Sequence, residues 1–193
     1  MEDHVPDRKR LDVGTRLLHL LLVISGLLAW ITGGLAEDYQ HARHAGFTIH
    51  GWIGIGAAAA TALRLVYGVL GPRAPRFWNW LPVTGGRLRL VVEDVRGLLR
   101  LQLPDREPRQ GLAAVVESFG LAVFAFLSAT GVILFLYLEP GMKARGAMHL
   151  VKELHEAGEA LLPLFVGTHA GAVVLHALTG RHLWRSMFFL KDR

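Results

Sequence analysis

Cysteine is absent from all 193 residues, which excludes several chemistries at once. Disulfides, iron–sulfur clusters, thiolate zinc sites and c-type haem attachment all need thiols. Any redox centre must then be held by histidine, carboxylate or methionine, and methionine occurs only four times. Charge is sparse as well: 19% of residues are charged and 52% hydrophobic, with a positive mean hydropathy. That is too apolar for an ordinary soluble domain, and the length is short for two domains. Internal repeats and low-complexity tracts are also missing. The chain has instead four apolar stretches, about 17–36, 49–70, 111–138 and 157–179, each able to cross a ~30 Å hydrocarbon core. Backbone groups in lipid must be satisfied within each segment, so an all-α, integral membrane four-helix bundle is expected, forming a single domain over 1–193. Trp30, Trp52, Trp78, Trp80 and Trp184 cluster near the proposed boundaries, as interfacial anchors do.

The first stretch follows Arg8-Lys9-Arg10 and ends at Gly34-Leu35-Ala36, which resembles a signal-peptide cleavage site. It is longer than a signal core and three further spans follow, so retention is expected. Four spans place both termini on the side of the 71–110 loop. That side carries sixteen lysines and arginines; the other holds Arg43, Lys143, Arg145 and Lys152, and Arg64 lies within a span. The asymmetry puts both termini of the multi-pass chain in the cytoplasm. It also accounts for the basic net charge through lipid headgroups, without nucleic acid. Within the inner loop between the second and third spans, GRLRLVVEDVRGLLRLQL places Leu88, Val91, Val92, Val95, Leu98 and Leu99 at helical intervals among arginines. This suits an amphipathic helix on the inner membrane surface. Pro104 and Pro108 punctuate its end. Residues 37–48 and the segment EPGMKARGAMHLVKE read as outer loops.

The histidines carry the chemistry. Along a continuous helix His155, His169 and His176 share one narrow stripe: fourteen residues turn about 40° short of four circles, and seven about 20° short of two. His169 would lie about 21 Å deeper than His155. With the spans oriented as above, His50 and His155 form an outer layer, and His19 and His169 an inner one. Two imidazoles facing each other across a bundle, without thiolate or carboxylate, suit a bis-histidine b-type haem. Zinc would want four ligands, and neither layer offers them. Small residues near the ligands, Gly54, Gly26 and Gly158, are expected to leave room for the macrocycle. Arg16, Arg64, Arg145 and Lys152 sit at boundary depth, with Arg16 and Arg64 the candidates for propionate contacts on the inner side. His41, His44, His149 and His182 read as loop or interfacial residues. His176, about 10 Å beyond His169, has no partner at its depth. It suits either a quinone, whose carbonyls need a hydrogen-bond partner and protons, or a structural interfacial role. Glu117, at comparable depth, either carries protons to such a site or reaches to the headgroups.

TRLLH at 15–19, IHGWIG at 49–54, RLVYGVLGPRAPRF at 64–77 and the His155, His169, His176 spacing together resemble the bacterial cytochrome b561 / nickel–iron hydrogenase cytochrome b superfamily. The resemblance covers nearly the whole chain. It implies a four-helix membrane bundle holding two b haems, with His19 and His169 the inner axial ligands and His50 and His155 the outer. It also implies a job: an electron-transfer subunit linking a periplasmic or membrane-associated redox partner, hydrogenase- or dehydrogenase-like, to the quinone pool. GVLGPRAPRF and the long inner loop resemble the members that work as such subunits. Those members often carry a His-Asn-Pro-x-Gly turn before the third span, whose asparagine helps bind quinone. Here the turn reads EPRQG, 107–111, and Gln110 stands nearest to that role. The alternative within the family is a stand-alone superoxide:ubiquinone oxidoreductase, with Lys143, Arg145 and Lys152 steering the anion. A haem-free transporter or anchor using the histidines as proton relays is the reading from outside the family.

Overall fold

The computed structural model describes residues 12–36, 45–139, 141, 143–182 and 184–188. Every regular element among them is helical: α1 (Val13–Gly33, continued by a 3-10 turn Gly34–Ala36), α2 (Ala45–Leu70), α3 (Phe77–Trp80), α4 (Gly85–Leu99), α5 (Gly111–Tyr137), α6 (Ala147–Glu159), α7 (Leu161–Leu178) and α8 (Trp184–Met187). Four segments are long and apolar enough to cross a membrane: Val13–Ala36, Ala45–Leu70, Gly111–Tyr137 and Ala147–Leu178.

The fourth differs from its expected bounds. It starts at Ala147 rather than about 157, so most of GAMHLVKE is helix, not outer loop. Lys152 pairs with Glu156 one turn on, and His149 with Glu153 at 3.7 Å, so this first stretch wears a polar face that a search for apolar runs passes over. The helix is also interrupted at Ala160, between α6 and α7. Pro163 explains the break: it has no N–H for the Glu159 carbonyl and its ring crowds that carbonyl.

The bundle is built inside out. Its buried positions are small or polar, among them Ala57, Ala60, Ala114, Thr61 and Thr130, while Ile31, Trp52, Leu63, Leu70, Leu164 and Leu178 face outward. Small residues let membrane helices approach, and acyl chains accept the large apolar ones. Packing runs α1 against α2, α2 against α5, and α5 against both α6 and α7. Thr61 and Ser128 join α2 to α5 through their hydroxyls at 3.3 Å.

One end of the bundle, where the arginine-rich 71–110 segment lies, is tied by polar locks. Asp12 caps α1, accepting from Thr15 N at 2.9 Å and Thr15 Oγ1 at 2.7 Å. It also accepts from the Tyr67 hydroxyl of α2. Asp94, buried on α4, accepts from the Leu112 amide at 2.8 Å and so caps α5 from another helix. Arg106 bonds both Asp94 and Glu93. Arg106 first, then Arg89, hold the exposed Glu93 carboxyl below its ordinary range. Its share of stability is therefore present above the unfolded carboxylate value and lost as pH falls through the lowered one. Away from Asp94, Leu88, Val92, Val95 and Leu99 of α4 remain exposed on one stripe.

Candidate functional site: two facing histidine pairs

α1 and α7 do not pack closely against each other, and neither do α2 and α6, yet imidazoles meet across both gaps. His19 of α1 faces His169 of α7 with ring centres 6.2 Å apart and planes tilted by 49°. His50 of α2 faces His155 of α6 at 6.3 Å and 73°. The first pair lies toward the basic end and the second toward the opposite one, by their positions along the helices.

The separations discriminate between explanations. A metal–imidazole bond of about 2.0 Å, with roughly 1.2 Å from nitrogen to ring centre, puts two axial imidazoles about 6.4 Å apart. Rings hydrogen-bonded directly, at about 2.9 Å between nitrogens, would sit about 1 Å closer. Among the described residues no cluster of three or more His, Cys, Asp or Glu could hold a metal ion, so a pair of axial ligands is the donor set on offer. A Cβ added at Gly54, one turn after His50 on the same face, would meet nothing within 4 Å, so open space borders the His50–His155 layer. The residues present therefore fit b-type haem ligation: in each pair two imidazole donors face each other across a gap wide enough for one iron.

Around the pair nearer the basic end, Phe165 stacks on His169 at 5.5 Å, and Phe188 meets His19 edge-on at 6.3 Å. Gly120 leaves the space that the Phe165 ring occupies. Around the other pair the neighbours are hydroxyls: Thr130 Oγ1 lies 2.8 Å from His155 Nδ1, and Thr32 Oγ1 3.3 Å from His50 Nδ1. Neither threonine is marked by helical spacing, since each partner sits on a different helix. Gly131 presses against the same imidazole, a Cβ there falling 3.0 Å from His155 Cε1. If each pair holds a haem, Gly131→Val is expected to displace His155 and to alter or abolish the electron paramagnetic resonance signal of that haem alone; unchanged signals would contradict that placement.

Gly26 and Gly158 do not serve as expected. Added Cβ atoms there would strike Phe124 at 2.6 Å and Phe126 at 2.7 Å, so both glycines make room for aromatic rings, not for a cofactor. Arg64 is buried, its guanidinium 5.4 Å from the Phe77 ring centre, and its Nη1 has no hydrogen-bond partner among the described residues. A buried cationic donor left so is suited to an anion such as a propionate. Arg16 is half-buried one turn before His19.

The remaining candidates are arranged differently from one another. Glu117 pairs with Arg109, Nε to Oε2 at 3.4 Å; Arg109 is itself buried, at φ 65°, with Nη1 donating to the Ala74 carbonyl. No periodicity joins these two, because the loop must fold back to bring Arg109 over α5. His176 has both ring nitrogens on backbone carbonyls, Nδ1 at 2.8 Å from Ala172 O and Nε2 at 3.0 Å from Pro104 O. Gln110 occupies the cap position of α5 with its side chain exposed and making no cap bond. The structure does not bring His176, Gln110 and Glu117 together by any hydrogen bond or ion pair given above. His149 and His182 are exposed, and His41 and His44 lie outside the described residues. Lys152 pairs with Glu156, while Lys143 and Arg145 are exposed.

No curated protein and no solved structure matches this chain. A family model does, described as prokaryotic cytochrome b561 and matching residues 10–190. Its span takes in all four long apolar helical segments and both histidine pairs, and by that match the chain belongs to the prokaryotic cytochrome b561 family.

Proposed function

We propose that this membrane haem b electron-transfer protein is a di-haem conduit between a periplasmic or membrane-associated redox subunit and the quinone pool of a bacterial inner membrane. The observation that carries the reading is the pair of imidazole gaps, 6.2 and 6.3 Å, one toward each end of the bundle. In it His50 and His155 hold the outer haem, His19 and His169 the inner one, and both termini are cytoplasmic. Two bound b haems supply one-electron carriers near each membrane face.

The chain's own side chains do the rest. The four imidazoles present neutral nitrogen donors, so no thiolate is needed. Arg64, and Arg16 one turn before His19, offer positive charge for carboxylates at the inner layer. Glu117, held by Arg109 at the basic end, passes protons between the cytoplasm and a quinone in this reading, with His176 and Gln110 the other residues assigned to that site. α4 turns its apolar stripe to the inner leaflet with Arg89, Arg96 and Arg100 among the headgroups. One electron moved inward across the full field is worth about 2.3 kcal/mol per 100 mV. The enzyme classification follows the complex: the subunit serves an oxidoreductase.

A reduced-minus-oxidised absorption spectrum with haem quantification on purified protein tests this. About two b haems per chain, oxidised by added quinone, are expected; protein purified from native membranes without b-type bands would end the proposal. The stand-alone superoxide:ubiquinone reading is favoured by the exposed Lys143 and Arg145, which can steer an anion. Reduction by superoxide without any co-purifying subunit would select it.

A further inference from the structure

The two layers are alike in spacing but not in what holds their rings. A hydroxyl carries one hydrogen. Thr130 Oγ1 gives its hydrogen to the helical carbonyl of Phe126 at 2.9 Å, and Thr32 Oγ1 gives its own to Leu28 at 2.7 Å. Each oxygen can therefore only accept from the imidazole beside it. With the hydroxyl hydrogens on those carbonyls, Nδ1 of His155, 2.8 Å from Thr130, carries the proton, and so does Nδ1 of His50, 3.3 Å from Thr32. The His50 ring is further held at the Ala29 backbone. That sets the tautomer and leaves Nε2 as the lone-pair donor of each ring. His19 and His169 make no ring hydrogen bond among the described residues; their neighbours are the Phe188 and Phe165 rings.

We infer that Thr130, supported by Thr32, is a positioning residue that makes the outer histidine pair the stronger electron donor and sets the outer haem's potential below the inner one's. The inference rests on the haem assignment of the proposed function. An Nδ1–H engaged by an acceptor gives imidazole more basic, imidazolate-like character, and a more basic axial ligand favours the oxidised iron. The aromatic inner pair lacks that push. The step concerned moves one electron from the outer layer to the inner, with no bond made and no proton exchanged, because the Nδ1 hydrogens stay on the imidazoles. The donor is the redox subunit or superoxide, and the acceptor is quinone. The resulting gradient runs inward.

The test is a spectroelectrochemical titration of the purified full chain, with haem content measured on the same sample. Thr130→Val preserves the shape and removes the acceptor. One haem is expected to show at least a tenfold higher ratio of reduced to oxidised form at a fixed poise, about 59 mV for one electron. The other should not move, and Thr130→Ser should restore the original value. The haem that shifts should be the one lost in His50→Ala. Two bound haems with unmoved potentials in Thr130→Val would overturn the inference and leave the haem assignment standing. A wild-type protein without haem b would overturn the assignment itself. If Thr130→Val binds no outer haem, Thr32→Val carries the test: a smaller upward shift supports the inference, because the Ala29 backbone still holds His50, and an unmoved or lowered potential overturns it.

Discussion

Under the di-haem reading proposed above, His169→Ala is expected to remove one b haem while the other stays bound, lowering haem content from about two to about one per chain. His169 faces His19 at 6.2 Å, and among the described residues no cluster supplies a third donor of the kind. Losing an axial ligand outright should cost more than the roughly 10–100-fold that outer-shell changes take from metal sites. Electron delivery to quinone should fall at least as far, while reduction of the remaining haem from the periplasmic side persists. His19→Ala should give the same spectrum, and His50→Ala and His155→Ala the complementary one. Haem quantification with low-temperature difference spectra decides the matter: four variants that each lose both haems, or neither, are incompatible with two separate layers.

Asp94→Ala carries the largest expected effect on stability. The carboxylate is buried and serves two helices at once, accepting from the Leu112 amide at the start of α5 and from Arg106. Alanine would leave the first turn of α5 uncapped and the guanidinium of Arg106 with only Glu93. Hydrogen bonds to charged groups contribute roughly 1.5–3 kcal/mol each and breaking a buried pair about 3–5, so a loss of about 3 kcal/mol is expected. Asp94→Asn keeps an acceptor for Leu112 but not the charge for Arg106, and should recover part of the loss. Thermal unfolding of the detergent-solubilised protein, followed by helix content, reads both. An Asp94→Ala midpoint equal to wild type would mean that the cap contributes nothing.

The parts of this molecule that were legible in its sequence are those governed by short-range periodicity or by hydropathy. Apolar runs of twenty residues and more announced α1, α2 and α5 to within a few residues, because in lipid a helix needs no help from its neighbours to satisfy its backbone. His19, His50, His155 and His169 could be sorted by depth for the same reason: rise per residue converts sequence position into height. The first half of the fourth span was missed where hydropathy stops being the signal, since Lys152 and Glu156 are as much a part of α6 as Leu150 and Leu154. Contacts set by folding back were invisible too. Asp94 looked like one more polar residue on an amphipathic helix, and only the docking of α4 on α5 makes it a cap. Thr130 and Thr32 resembled ordinary helical threonines bonded to the preceding turn, which they are; that the same oxygens accept from imidazoles of other helices follows from the assembled bundle. Gly26 and Gly158 were read for volume, and the rings of Phe124 and Phe126 fill it.

Pro163 gives the last span a joint at Ala160. Two stiff rods therefore meet between His155 and His169, each carrying one ligand. The orientation of the upper imidazole against its mate and that of the lower against its own can be adjusted separately. Each imidazole's contact with its mate is thus set by its own half of the span, on its own side of the proline.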